Sequence, residues 1–192
     1  FSSYRGVIFA SGTYLESGLK NKILQTIKEK CSYPVLNINQ EPSEFYTLSI
    51  DNIQPMKELV SHLITTHKYQ RISFLANKHD ELFSSQRIKS YQDTMTEHNL
   101  SWSDNTIAWC NPNINSVLEA VTKLLSNPEG QPEVIVCYND SIALMVSKIL
   151  TDKGYTIPND IAITGYDNLE STRHNIPPIT SVEFPVRELG EL

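Results

Sequence analysis

Several clusters of polar residues follow directly on short apolar runs. Val35-Leu36 leads into Asn37-Ile38-Asn39-Gln40, and Val134-Ile135-Val136-Cys137 leads into Tyr138-Asn139-Asp140. Ile161-Ala162-Ile163-Thr164 leads into Gly165-Tyr166-Asp167-Asn168, and the run at 72–75 leads through a polar loop to Gln86-Arg87. Amides, carboxylates and a guanidinium converging on one cleft can hydrogen-bond a polyhydroxylated or heterocyclic small molecule from several directions. Each cluster also has a plainer reading. Asn139-Asp140 suits the N-cap of a following helix. Asp167 suits a turn after Gly165, Arg87 the solvated face of a helix, and Asn39 an ordinary loop. Spacing alone leaves both readings open.

Reactive chemistry is harder to assemble. His62, His67, His79, His98 and His174 form no HExxH or other ligand spacing, so no metal site is expected. There is no Gly-rich phosphate loop and no GxSxG elbow, and Asp80-Glu81 reads as a solvated charge pair. Lys20, Lys22, Lys28 and Lys30 read as the wet face of an amphipathic helix. Cys31, Cys110 and Cys137 are far apart and form no CxxC pair, which points away from zinc or a disulfide framework and toward a reducing compartment. The expectation is a binding protein, not an enzyme, with no cofactor.

The elements that must position these residues follow from hydrophobic periodicity. Five β-rich, nearly continuous apolar runs, at 6–10, 34–38, 71–75, 133–137 and 160–164, have the character of parallel strands covered on both faces. Weaker strand candidates lie at 47–50 and 106–109. Helical faces fall between them: Leu15, Leu19, Ile23, Leu24 and Ile27; Met56, Leu59, Val60, Leu63 and Ile64; Ile88, Tyr91 and Met95; Val117, Leu118, Val121, Leu124 and Leu125; and Leu144, Val146, Ile149 and Leu150. Asn127-Pro128 and Gly154 with Pro158 supply stop signals. Strand and helix alternate, so the class is α/β with parallel sheets of βαβ units. In such sheets ligands sit beyond the carboxyl ends of the strands, where the polar clusters fall. Seams between lobes are expected at 65–70 and at Phe184-Pro185.

Composition sets outer bounds. A chain of 192 residues, 40% hydrophobic and 20% charged, can bury a substantial core as one large or two small domains. A formal net charge of -6 and a pI near 5.4 make this segment a poor partner for a phosphate backbone. No apolar run approaches the roughly 20 residues that span a bilayer.

Three segments in order resemble the lactose-repressor and galactose-repressor regulators and the related periplasmic sugar-binding proteins. The stretch from Val134 through Tyr138-Asn139-Asp140 to Ala143-Leu144 is similar to the family's strand, Asn-Asp, Ala-Leu segment. Gly154-Tyr155-Thr156-Ile157-Pro158-Asn159-Asp160-Ile161 running to Gly165-Tyr166-Asp167 resembles its Gly-x-x-x-Pro-x-Asp-Ile…Gly-Phe/Tyr-Asp run. Pro177-Pro178-Ile179-Thr180-Ser181-Val182, followed by Glu188-Leu189-Gly190, is similar to its last crossing and the helix after it. Weaker similarity runs through Tyr4-Arg5-Gly6-Val7-Ile8, Ser49-Ile50-Asp51-Asn52 and Arg87-Ile88-Lys89-Ser90-Tyr91.

The resemblance implies two Rossmann-like lobes of the periplasmic-binding-protein type clasping a ligand, with lobe movement as the output. It implies a partial first lobe at 1–67, a second lobe at 68–183, and a crossing back at 184–192. The family normally opens with two further βα units, so the first lobe is expected to be incomplete. Ligand contacts map onto Arg87, Asn139 and Asp167, with first-lobe contacts near Asn39 or Gln40, while Asp140 is expected to cap its helix. The implied protein is the effector-binding domain of a cytoplasmic, homodimeric bacterial transcription regulator. Its effector would be a carbohydrate, and DNA would be held only by a headpiece outside this chain. Alternatives are the sensory input of a diguanylate cyclase or histidine kinase, or a transport sugar-binding protein.

Three departures stand out. Lys68 stands where the family has Gly, in a longer His67-x-Tyr69 spacing that resembles variants fused to signalling outputs. Phe184, near the second seam, replaces a position that is often polar and is taken as a ligand contact. Trp109 is out of register with the family's ring-stacking aromatic and reads as a core or edge residue.

Overall fold

The computed structural model describes residues 5–10, 17–38, 44–78 and 81–191. The chain divides into two compact units, Phe1–Asp51 and Asn52–Leu192. In the first, β1 (Val7–Ala10), β2 (Val35–Ile38) and β3 (Tyr46–Leu48) pair in parallel in the order β1-β2-β3. α1 (Ser17–Lys30) connects β1 to β2, and Lys28 reaches Glu44 at 2.9 Å.

The second unit holds the larger core. Its parallel sheet has the order β5-β4-β6-β7-β8, formed by β4 (Ile72–Asn77), β5 (Ile107–Cys110), β6 (Val134–Cys137), β7 (Ala162–Asp167) and β8 (Thr180–Glu183). β4 and β6 are buried along their whole length, as their unbroken hydrophobicity requires. α2 (Gln54–Thr65) and α3 (Glu81–Glu97) carry Met56, Val60, Leu63, Tyr91 and Met95 onto one face of the sheet, around Phe74 and Val136. α4 (Ile114–Leu125) and α5 (Asp140–Asp152) carry Val121, Leu124, Ile142, Val146 and Leu150 onto the other, around Leu75, Ile135 and Ile163. Truncating one of these buried aliphatic side chains to alanine removes about 2–5 kcal/mol.

Local signals explain most boundaries. Pro55 stands in the first turn of α2, where its missing N–H costs nothing. Asn113 caps α4 by accepting from the Ser116 N–H at 3.0 Å. Gly154 takes φ 86 just after α5, the left-handed conformation that ends helices. The short helix α6 (Glu170–Arg173) precedes β8, and the short helix α7 (Val186–Glu191) follows it.

The division between units falls earlier than the 1–67 and 68–183 boundary expected from the sequence. α2 belongs to the second unit, because its apolar face packs with α3 on the second sheet. The compact units therefore divide at Asp51/Asn52, before the helix.

One sheet detail bears on the site. Strand order reverses beside β4: α3 leads to β5 on one side, and α4 returns the chain to β6 on the other. The crevice at such a reversal, at the carboxyl ends of β4 and β6, is where an open α/β sheet offers ligands the most access.

Candidate functional site

Arg87 lies on α3 and is only 2% exposed, so it is not the solvated helix residue of the plainer reading. Its Nε and Nη2 donate to Asn52 Oδ1 at 3.2 and 2.8 Å, and its Nη1 donates to the Tyr138 carbonyl at 2.6 Å. The guanidinium carbon stands 3.6 Å from the Tyr166 ring centroid and 4.6 Å from that of Tyr138. A buried cation needs such compensation, and two aromatic faces with charge-assisted hydrogen bonds supply it. These partners occupy three of the five N–H groups of the guanidinium, so two remain for anything else.

Asp167 ends β7 at φ 108, and Asn168 follows at φ 53. Side chains other than glycine avoid this region, so two consecutive residues there mark a strained turn. Asp167 is half-buried, and its carboxylate has no hydrogen-bond partner among the described residues. Burial pushes its pKa up from 3.8 to about 6, against the pull of the Arg87 guanidinium and with a further push from Asp140. Asp167 is therefore both the turn residue and a carboxylate with hydrogen-bonding capacity left over.

Asn139 is the N-cap of α5, its Oδ1 accepting from the Ile142 N–H at 3.1 Å. With that oxygen committed, the side-chain NH2 is what Asn139 has to offer a ligand. Asp140, expected to cap, does something else. It is fully buried in the first turn of α5, and its carboxylate accepts from Leu169 N at 2.6 Å, Thr172 Oγ1 at 3.2 Å and Ser181 Oγ at 2.6 Å. It thus ties the turn after β7 and strand β8 to the start of α5. This close approach also explains Gly165, where a Cβ would stand 2.0 Å from Asp140 Oδ1.

Of the six expected site residues, Arg87, Asn139 and Asp167 lie at the carboxyl edge of the second sheet, with Arg87 close enough to bias the charge on Asp167. Phe184 follows β8, where Asp167 pairs with Glu183, and packs half-buried against the cluster containing Tyr166. Asn39 and Gln40 lie outside the described residues. The sequence reading missed the residues that hold Arg87: Asn52, buried at the start of the second unit, and the rings of Tyr138 and Tyr166. The two tyrosines immediately precede Asn139 and Asp167, and that position was the available signal. Trp109 is 37% exposed on β5, the edge strand, which agrees with an edge role.

A crevice of about 330 Å³ in the second unit, lined by Gln70, Arg71, Thr106, Asn127 and Glu129, opens at the opposite, amino end of the sheet. Among the described residues no group of three or more His, Cys, Asp or Glu side chains could surround a metal ion, and no helix is long and apolar enough to cross a membrane.

The comparisons with known proteins agree with this fold. A model of the periplasmic binding protein-like domain matches residues 60–192. The HTH-type transcriptional repressor PurR of Vibrio atlanticus (strain LGP32) is 29% identical over 142 residues, covering 74% of this chain and 42% of that protein. The protein of the same name from Aliivibrio fischeri (strain MJ11) is 25% identical over 177 residues, 91% of this chain and 52% of that protein. The chain thus spans about half the length of the curated relatives it matches. Among solved structures, a sugar-binding LacI-family regulator from Escherichia coli, complexed with phosphate, superposes with a TM-score of 0.81 at 23% identity, covering 97% of this chain and 66% of that one. The CelR–cellobiose complex superposes at 0.82 with 21% identity, covering 98% and 56%. With a family match over most of its length and the corresponding α/β architecture, the chain belongs to the periplasmic binding protein-like domain family.

Proposed function

We propose that this chain binds a small-molecule effector at the carboxyl edge of β4, β6 and β7, as the sensing part of a cytoplasmic, homodimeric transcription regulator. DNA is held by a headpiece outside this chain, in keeping with its net charge of -6. The observation that carries the reading is Asp167, a strained, half-buried carboxylate without a hydrogen-bond partner among the described residues, beside a guanidinium already clamped in place. An arrangement of this kind is costly to the fold alone and is relieved when a ligand donates to it.

In this reading Asp167 accepts hydrogen bonds from the effector and the Asn139 amide donates to it. Arg87 offers its two remaining N–H groups, and Phe184 completes the contacts of the second unit. A carbohydrate suits the mixture of acceptor and donors, and a sugar-binding regulator and a cellobiose complex are among the matching structures. A ligand that meets these groups better in one conformation than in another shifts the population toward it, and that shift is the signal.

The test is a thermal-shift screen of the full-length protein against sugars, sugar phosphates and nucleobases. A ligand at about 100 times its dissociation constant adds roughly 2.7 kcal/mol of stability, an easily read shift. Asp167→Asn weakens the binding of any hit at least about tenfold, since a charge-assisted hydrogen bond contributes about 1.5–3 kcal/mol. A ligand that binds this variant as tightly as the parent removes Asp167 from the site and the reading with it.

A further inference from the structure

The turn between α2 and β4 gathers chemistry that effector binding does not use. α2 ends with Thr66 N donating to His62 O at 2.9 Å. The chain then turns back on the helix: Lys68 adopts φ 62, and Tyr69 N donates to Leu63 O at 3.2 Å. This wide return folds His67 back over the end of the helix. The ring centroids of His62 and His67 come to 5.0 Å with their planes at 82°, and Tyr69 stacks on His67 at 5.6 Å and 13°. A spacing of five residues would not bring the two imidazoles together on a continuous helix, so the turn creates the pair.

We propose that His62 and His67 form a two-ligand binding site for one divalent transition metal ion of the class imidazole prefers: zinc, nickel or copper. Metal–nitrogen bonds of about 2.1 Å place the centroids of two imidazoles on a shared ion about 4.5–5.5 Å apart, and the observed separation lies within that range. The histidines are exposed, so an ion reaches them from solvent, and water fills its remaining positions in an open site. The carboxyl end of α2 directs its last carbonyls toward the same region, and the negative end of a helix dipole favours a cation there. The stacked Tyr69 ring limits the freedom of His67, lowering the entropy lost when the ion is bound. Chelation would clamp the end of α2 to the turn leading into β4.

The experiment is isothermal titration of untagged full-length protein with Ni2+, Zn2+ and Cu2+, alongside His62→Gln, His67→Gln and the double variant. Both side chains are on the surface, so these proteins fold. The proposal requires saturable binding of one ion per chain at these residues, weakened at least about tenfold by either substitution and unchanged by His98→Gln. It also requires a rise in thermal stability with Ni2+ that the double variant does not show. Absence of saturable binding, or binding that survives in the double variant, overturns it.

Discussion

Glu133 and Asp167 sit at opposite ends of the second unit's sheet, one just before β6 and the other at the end of β7. Glu133 accepts from the backbone N–H groups of Gln70 and Arg71 at 2.7 and 2.9 Å and faces the Arg71 guanidinium at 3.1 Å. Burial works against its charge, yet these partners hold its pKa below the usual value. Asp167 is the more deeply buried of the two and makes no hydrogen bond among the described residues, and its pKa rises to about 6. The same functional group is finished at one end of the sheet and left open at the other. The amino end is therefore built for stability, and the carboxyl end keeps the unspent hydrogen-bonding capacity that a binding site needs.

This contrast can be broken or sharpened by substitution. The largest effect is expected for Arg87→Ala, which removes the guanidinium hydrogen bonds to Asn52 Oδ1 and the Tyr138 carbonyl and opens a gap between two rings. We expect a loss of about 3 kcal/mol in chemical denaturation. This corrects the surface reading of Arg87, under which the substitution would spare the fold. A loss below about 0.5 kcal/mol, normal for a surface residue, would restore that reading.

Asp167→Asn is expected to act in the opposite direction, stabilising the protein at pH 7 by up to about 2 kcal/mol while weakening effector binding. Because the folded-state pKa is raised, from 3.8 to about 6, the folded protein holds a proton that the unfolded chain has lost between those values. Stability contributed by this group is thus present at low pH and falls as pH rises through that window. Denaturation curves from pH 4 to 7 should show the decline in the parent and a flatter profile in the variant. No gain in the variant would mean that the open carboxylate costs the fold nothing.

At the other end Glu133→Gln is expected to cost about 1–1.5 kcal/mol at pH 7. Its depressed pKa gives the reverse sign: the stabilisation is present above the ordinary value of 4.5 and is lost as pH falls below it. Opposite pH slopes in the two variants would establish the contrast, and equal slopes would dissolve it. The smallest effect is expected for Lys68→Gly, also on the amino side. Lys68 holds φ 62, and a glycine there relieves up to about 1 kcal/mol, read as a rise in melting temperature of a few degrees.

The legible part of the fold was the part fixed by local periodicity. All five strong runs became strands, and the weaker candidates at 47–50 and 106–109 became β3 and β5. β8 escaped periodicity because Thr180, Ser181, Val182 and Glu183 form a half-exposed edge strand with little apolar content. Strand ends also pointed to Asn139 and Asp167, because the rule that ligands lie beyond strand carboxyl ends depends only on chain direction.

Pattern and chain direction therefore determined the class, the order of the stronger strands and helices and the edge of the sheet where the candidate residues Asn139 and Asp167 fall. Burial and partnership came only with the tertiary structure. Nothing in a helical arginine announces a guanidinium packed between two tyrosines 51 and 79 positions later in the chain. The division at Asp51/Asn52 rests on which sheet α2 packs against, and Asp140 was turned from cap to tie by residues up to 41 positions away. Such roles are set by long-range hydrogen bonds and packing, which bring together residues that no local spacing relates.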